Sequence, residues 1–311
     1  MALRQSIEVL DLLGRADVDG QRVADLLHRG GVAHVETERV AGAETFTDFV
    51  RVRVLGTGGG PTLGIIGRLG GIGARPGRAG LVSDADGAAV ALASALVLSD
   101  LVASGDRLAG DVLIATHVCP HAPVIPHDPV PFMGSPVDQV TKNRHEVDPR
   151  MAAILSVDTT RGNRLVNRRG FAITPTVKQG WILRVSESLL DLQGWVTGRL
   201  PLVLPITTQD LTPYGNDLFH LNSILQPSTA TTAPLVGVAL TSESTVPGCA
   251  TGVSSAVDVE EAVRFCVEVA KAFGQGTCQV YDADEWARIA ERYGPLSVLQ
   301  TAGRGALEPL P

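Results

Sequence analysis

PTLGIIG (residues 61–67) runs into the glycine-rich RLGGIGARPGRAG (68–80); SDADG (83–87) then opens an apolar stretch, Ala88–Ala103, and DVLIATHVCPHAP (111–123) follows two glycines. A short apolar run bounded by turn residues reads as a buried strand. A long one entered through a polar, acidic cluster reads as a helix, and Val112–Ala115 is a second strand apolar on both faces. Strand, loop, helix, strand is the repeating unit of an α/β fold with a parallel sheet.

Upstream, Asp48 to Leu55 alternates apolar and charged residues, which predicts an edge strand with one wet face, closed by GTGGG (56–60). Residues 3–14 and 19–30 carry apolar positions at helical spacing, with Asp19 placed to cap the second helix. Downstream, prolines recur through 120–136 and predict a rigid loop, taken to extend to 150. AAILSVDTT (152–160) is a third buried strand ending in an acid. GFAITPT (170–176) and GWILRVS (180–186) resemble a hairpin, and PLVLPITTQD (201–210) and APLVGVALTS (233–242) read as strands. Helices are expected over 258–273 and 283–292. The whole predicts one domain over residues 1–311, a three-layer α/β/α sandwich with a mostly parallel, mixed sheet and a helical lead-in over 1–47.

Composition sets the outer limits. With 44% hydrophobic and 19% charged residues in 311, the chain can bury a large core and is not disordered by composition. A net charge of −7, with only three lysines among 26 basic residues, gives no broad cationic face for nucleic acid. The acids near the N-terminus do not suit a signal peptide, and the reading finds no membrane-spanning stretch, so a cytoplasmic protein is expected. Cys119, Cys249, Cys266 and Cys278 have no CxxC spacing and read as thiols.

In a parallel sheet, ligands bind at the carboxyl ends of the strands. Asp84, the group His117, Cys119 and His121, Asp158, and the loop with Asn216 and Asp217 all follow apolar strands or open helices. HVCPH can place two imidazoles and a thiol on one metal or provide a nucleophile beside a base; the alternative is a small buried cysteine with a hydrogen-bonded histidine. Asp84 and Asp86 suit a metal or a helix start, and Asp158 a site or a turn. Arg68 and Arg75, with the backbone amides of the glycine loop, can grip a carboxylate or phosphate; the alternative is a structural glycine turn. His127 and Asp128 are a base with an orienting acid or a surface turn, and Cys249, in PGCATG, is an activated or a merely buried thiol.

The motifs GRLGGIGARP, THVCPHAP, PHDPVPFMGSPVD, TTQDLTPYGND and VPGCATG resemble an uncharacterised bacterial family, the domain of unknown function 1177, over nearly the whole chain. More distantly, residues 60–273 resemble the dinuclear zinc exopeptidases of the glutamyl and leucyl aminopeptidase type. That resemblance implies a zinc-exopeptidase-like fold. Asp84 then stands where the bridging aspartate would be, Asp158 at a terminal ligand, and Asp217 at the acid of the glycine-rich loop. The chain departs from the pattern elsewhere: Arg68-Leu69-Gly70 replaces the first His-x-Asp, Cys119-Pro120 replaces the glutamate pair, and Cys249 and Thr251 lie where the last histidine belongs. His117, His121 and His127 are candidate replacement ligands for zinc or another divalent metal.

Three functions follow as expectations. The first is a metal-dependent hydrolase of an amide or peptide-like bond in a small molecule or short peptide. Its metal would sit on Asp84, His117, Asp158 and His127, its base would be Cys119 or His121, and its substrate would be held by Arg68, Arg75, Asn216, Asp217 and Cys249. The second is a metal-free racemase or epimerase using Cys119 and Cys249. The third is a non-catalytic binding protein on the same scaffold. The alternating strand at 48–55, if at a sheet edge, favours a homo-oligomer.

Overall fold

The computed structural model describes residues 2–42, 45–68, 70, 72, 81–125, 132–160, 165–220, 223–243 and 254–303. Helices α1 (Leu3–Leu13) and α2 (Gly20–Arg29) lead into strands β1 (His34–Ala41), β2 (Phe46–Val54) and β3 (Leu63–Gly67). Then come α3 (Asp86–Ala103), β4 (Val112–Val118), the short pair β5 (Val124–Ile125) and β6 (Phe132–Met133), α4 (Gln139–Glu146) and β7 (Ala153–Thr159). The chain continues through β8 (Gly170–Ile173), β9 (Val177–Lys178), β10 (Trp181–Ile182), α5 (Glu187–Thr197), β11 (Leu235–Thr241), α6 (Ala256–Gly274) and α7 (Ala283–Tyr293). Two 3-10 segments matter below: Ser83–Ala85, which enters α3, and Ser223–Ala230.

The sheet runs β1-β2-β4-β3-β7-β11-β9-β10, with β8 also paired to β11. Its centre, β4-β3-β7-β11, is parallel, and its flanks are antiparallel. Strand alternation sorts the core into two faces. Ile65, Ile114, Leu155 and Val238 join α1, α3 and α6 on one side, whereas Ile66, Leu113, Ile154 and Ala239 face Leu211, Ile224 and Leu225 on the other. The central strands are therefore apolar throughout, because both faces are covered. The second cover is made mostly of 3-10 segments, loops and α4, so it is thinner than the helical one.

Helix α3 satisfies the length and composition of a membrane span, contrary to the sequence reading, yet 72% of its apolar window is buried inside the protein. It is the core helix of the sheet. Its start is pressed against the strand ends: a methyl added at Gly87 would lie 1.8 Å from the Arg68 carbonyl oxygen and 2.5 Å from that of Val157. Glycine is required there for close approach, and this contact sets Asp84 and Asp86 over the carboxyl ends of β3 and β7.

Five expectations are corrected. The strand at 48–55 is not an edge: β1 pairs along all of β2, and β1 carries Glu36, Glu38 and Arg39 outward, charges that hinder edge-to-edge pairing. The lead-in over 1–47 is helical only to Arg29, because β1 and the start of β2 follow. β8 pairs with β11 rather than with β10, so the hairpin is the smaller β9–β10, and 201–210 contributes one isolated bridge, Ile173–Val203, instead of a strand. Lastly, 120–150 is not loop throughout. Asp138 accepts the Thr141 N–H at 2.6 Å and caps α4, a helix that the prolines of 120–136 do not reach.

Candidate functional site

Three strands deliver polar side chains to one end of the sheet, and α4 closes over them. Arg68 follows β3 directly, His117 is the penultimate residue of β4, and Asp158 that of β7. α4 turns Gln139, Lys142, Asn143 and Glu146 toward this end, at the i, i+3, i+4 and i+7 positions of one helix face. Lys142, Asn143 and Glu146 are all buried despite their polarity.

Arg68 is fully buried, and each of its three nitrogens faces an acceptor. Its Nε lies 2.9 Å from a Glu146 oxygen, its Nη1 donates to Gln139 Oε1 at 2.6 Å, and its Nη2 donates to Asn143 Oδ1. Asn143 in turn donates to the Gln226 carbonyl at 3.0 Å and to Thr229 Oγ1 at 3.1 Å. His117 is engaged at both nitrogens: Nε2 accepts the Gly70 N–H at 3.0 Å, so Nδ1 carries the proton and donates to Glu146 Oε1 at 2.5 Å. Burial first, then Lys142 and Arg68, hold this imidazole below its ordinary value against the pull of Glu146, and the ring is neutral. Burial pushes the Glu146 carboxyl up, but Arg68 and His117 outweigh it and hold it below the usual carboxylate range. Arg68, Glu146 and His117 thus form a closed, charge-balanced frame.

Two charged groups stand outside that frame. Asp158 accepts from the Thr159 N–H at 2.7 Å and from the Ser223 hydroxyl at 2.6 Å, yet burial still pushes it up to about 6. Lys142 is 3% exposed, and burial, aided by Arg68, brings its amine down to about 8. Among the described residues no hydrogen bond or ion pair reaches its Nζ. A base titrating near 6 and an ammonium near 8 form a proton-transfer pair suited to neutral pH.

The residues expected from sequence divide sharply. Arg68, His117 and Asp158 come together at the strand ends, with the buried Asp84 in the turn above them. Arg68 is fully buried with its three nitrogens turned to Glu146, Gln139 and Asn143, so it is not presented as a carboxylate grip, and His117 has no nitrogen lone pair free for a metal. Cys119 packs with Val82, Ala122 and Met133, and burial pushes its thiol up to about 12, so it is neither base nor nucleophile at neutral pH. That also removes one arm of the two-cysteine racemase. His121 is exposed. Asn216 closes its own turn, donating to Thr212 Oγ1 at 2.8 Å and accepting from the Leu218 N–H at 3.1 Å, and Asp217 is exposed at φ 61°, so neither joins the buried cluster. Arg75, His127, Asp128, Cys249 and Thr251 lie outside the described residues.

Sequence reasoning missed Lys142, Asn143, Glu146, Gln139 and Ser223. One signal was available: Lys142 is one of only three lysines in the chain, and Glu146 follows it by one helical turn.

A mixed sheet, parallel at its centre and packed under helices, with its polar cluster at the carboxyl ends of the central strands, defines an α/β fold. The chain belongs to a family described as proteins of unknown function, DUF1177, whose model matches residues 38–303. No curated protein matches it. Among solved structures it is similar to the bottromycin maturation enzyme BotP, at 16% identity over 89% of this chain and 70% of that one, with a TM-score of 0.53. The same enzyme in complex with Mn gives 13% identity over 87% and 71%, and a TM-score of 0.52. The LapA aminopeptidase of Legionella pneumophila gives 11% identity over 88% and 72%, and a TM-score of 0.50.

The divalent metal implied by the resemblance finds a poor fit among the described residues. They contain no group of three or more His, Cys, Asp or Glu side chains able to hold an ion. Both His117 nitrogens already have partners, and the nearby Arg68 and Lys142 are cations that oppose a dication.

Proposed function

We propose that the protein hydrolyses an amide or peptide-like bond in a small molecule at the carboxyl ends of β3, β4 and β7. The observation that carries this reading is the pairing, on a peptidase-like fold, of a buried carboxylate raised to about 6 with a buried amine lowered to about 8. Asp158 takes the proton of an attacking water, and its elevated basicity matches that task better than an ordinary aspartate would. Lys142 supplies positive charge in a site with little water, where such charge acts strongly on an anionic centre. Arg68, Glu146 and His117 hold the strand ends and α4 in register.

The test is turnover of a panel of dipeptides and N-acyl amino acids by the wild type and by Asp158→Asn, each measured with and without chelator. Hydrolysis that falls by about 10²-fold or more in the folded variant supports the reading. A wild type that cleaves no amide, or a variant that cleaves as well as the wild type, overturns it.

A further inference from the structure

We propose that Lys142 is the binding group for a carboxylate on the substrate, so that the molecules this site accepts carry a free monoanionic carboxylate close to the bond cleaved. The inference deepens the hydrolase reading and rests on it only for the bond that breaks.

The argument begins with which cations are spent. Arg68 is the residue whose position in the glycine loop marks it for anion binding, but its three donor nitrogens face Glu146, Gln139 and Asn143, and its charge is matched by Glu146. The charged and titratable groups around Lys142 are Arg68 after β3, His117 on β4, Cys119 after β4, Asp158 on β7, and Asp138 and Glu146 at the two ends of its own helix. None of these lies within ion-pair distance of its Nζ among the described residues. An ammonium on a side chain 3% exposed, with no acceptor for its three N–H groups among the described residues, is an arrangement that folding alone does not favour. A ligand oxygen supplies what is missing.

Charge decides the class. Arg68 is matched by Glu146 at 2.9 Å, whereas no carboxylate among the described residues lies within ion-pair distance of Lys142. A carboxylate brings one negative charge, which the Lys142 ammonium meets while Asp158 stays ionised as the base. A phosphate dianion would bring a second charge, and among the described residues no second free cation stands at the cluster to meet it. Lys142 also presents a compact point charge rather than a flat fork, which suits one carboxylate oxygen and does not require bidentate geometry.

The test uses the scarcity of lysine. The full-length protein labelled with ¹³Cε-lysine gives three side-chain signals, from Lys142, Lys178 and Lys271. Lys178→Arg and Lys271→Arg assign two of them, so Lys142 is assigned even if Lys142→Met does not fold. Titration with N-acetylglycine should move the Lys142 signal alone and bind about tenfold or more tightly than neutral N-acetylglycinamide, as a charge-assisted hydrogen bond requires. Inorganic phosphate should bind more weakly than N-acetylglycine. An unmoved Lys142 signal, equal binding of the amide, or tighter binding of phosphate overturns the proposal. A response at Lys142 without turnover of any amide sinks the hydrolase reading alone, whereas turnover without that response sinks this inference alone.

Discussion

Replacing Glu146 by Gln keeps the shape of the side chain and removes the charge that two neighbours depend on. Arg68, at 0% exposure, would then hold a guanidinium with only neutral acceptors, and His117 would lose its anionic partner. Breaking a buried pair from one side costs about 3–5 kcal/mol, because the stranded charge stays in a poor solvent. An unfolding entropy of about 2.1 cal/mol/K per residue gives roughly 0.65 kcal/mol/K for this chain, so Tm should fall by about 5–8 °C. Glu146 is held below its ordinary value, so the pair stabilises fully above pH 4.5 and its contribution fades as pH falls below that value. Melting curves of the wild type and Glu146→Gln should therefore separate at pH 7 and converge in acid. The double variant Arg68→Met/Glu146→Leu removes both charges and should be more stable than the sum of the single losses allows, with a coupling of about 3 kcal/mol. A Tm shift below about 1 °C, or single losses that add within about 0.5 kcal/mol, refutes the frame drawn around Arg68.

Two further outcomes follow from the site. Hydrolysis should show a bell-shaped pH dependence, rising as Asp158 ionises near 6 and falling as Lys142 loses its proton near 8; a profile flat from pH 5 to 9 excludes the pair. Cys119→Ala should keep catalytic efficiency within about twofold, since a thiol pushed up to about 12 stays protonated, and should cost about 1–2 kcal/mol of stability from the lost buried sulfur. Abolished turnover in that folded variant returns the thiol to the mechanism.

The centre of the fold was readable because its strands and its core helix are bounded by glycine and acid clusters that punctuate the apolar runs. β3, α3, β4, β7, β11 and α6 all fall close to where periodicity places them. Pairing was not readable. Nothing local in GFAIT says that it meets β11, and nothing in FVRVRVL says that β1 will cover it, because partner choice is settled by long-range contacts. Arg68, His117 and Asp158 were legible as a group, since each ends an apolar run. Their roles were not: whether a guanidinium is free or spent depends on α4, and α4 is a short polar helix without an apolar stripe to announce it. Lys142 escaped for the same reason, as an amine in QVTKNRHE reads as a solvated side chain until the helix is folded onto the strand ends.

The central claim is that the strand ends hold charge for chemistry at the expense of stability, and thermal unfolding of Asp158→Asn against pH tests it most directly. The Asp158 carboxyl is raised from 3.8 to about 6 on folding, so below 3.8 it is protonated in both states, and between these values the folded state loses stability as pH rises. Above about 6 the loss is complete, at about 3 kcal/mol. Asp158→Asn should therefore melt several degrees higher than the wild type at pH 7, with the gain disappearing by pH 4. A variant that melts lower than the wild type at every pH would show that Asp158 holds the fold together, and would contradict the account.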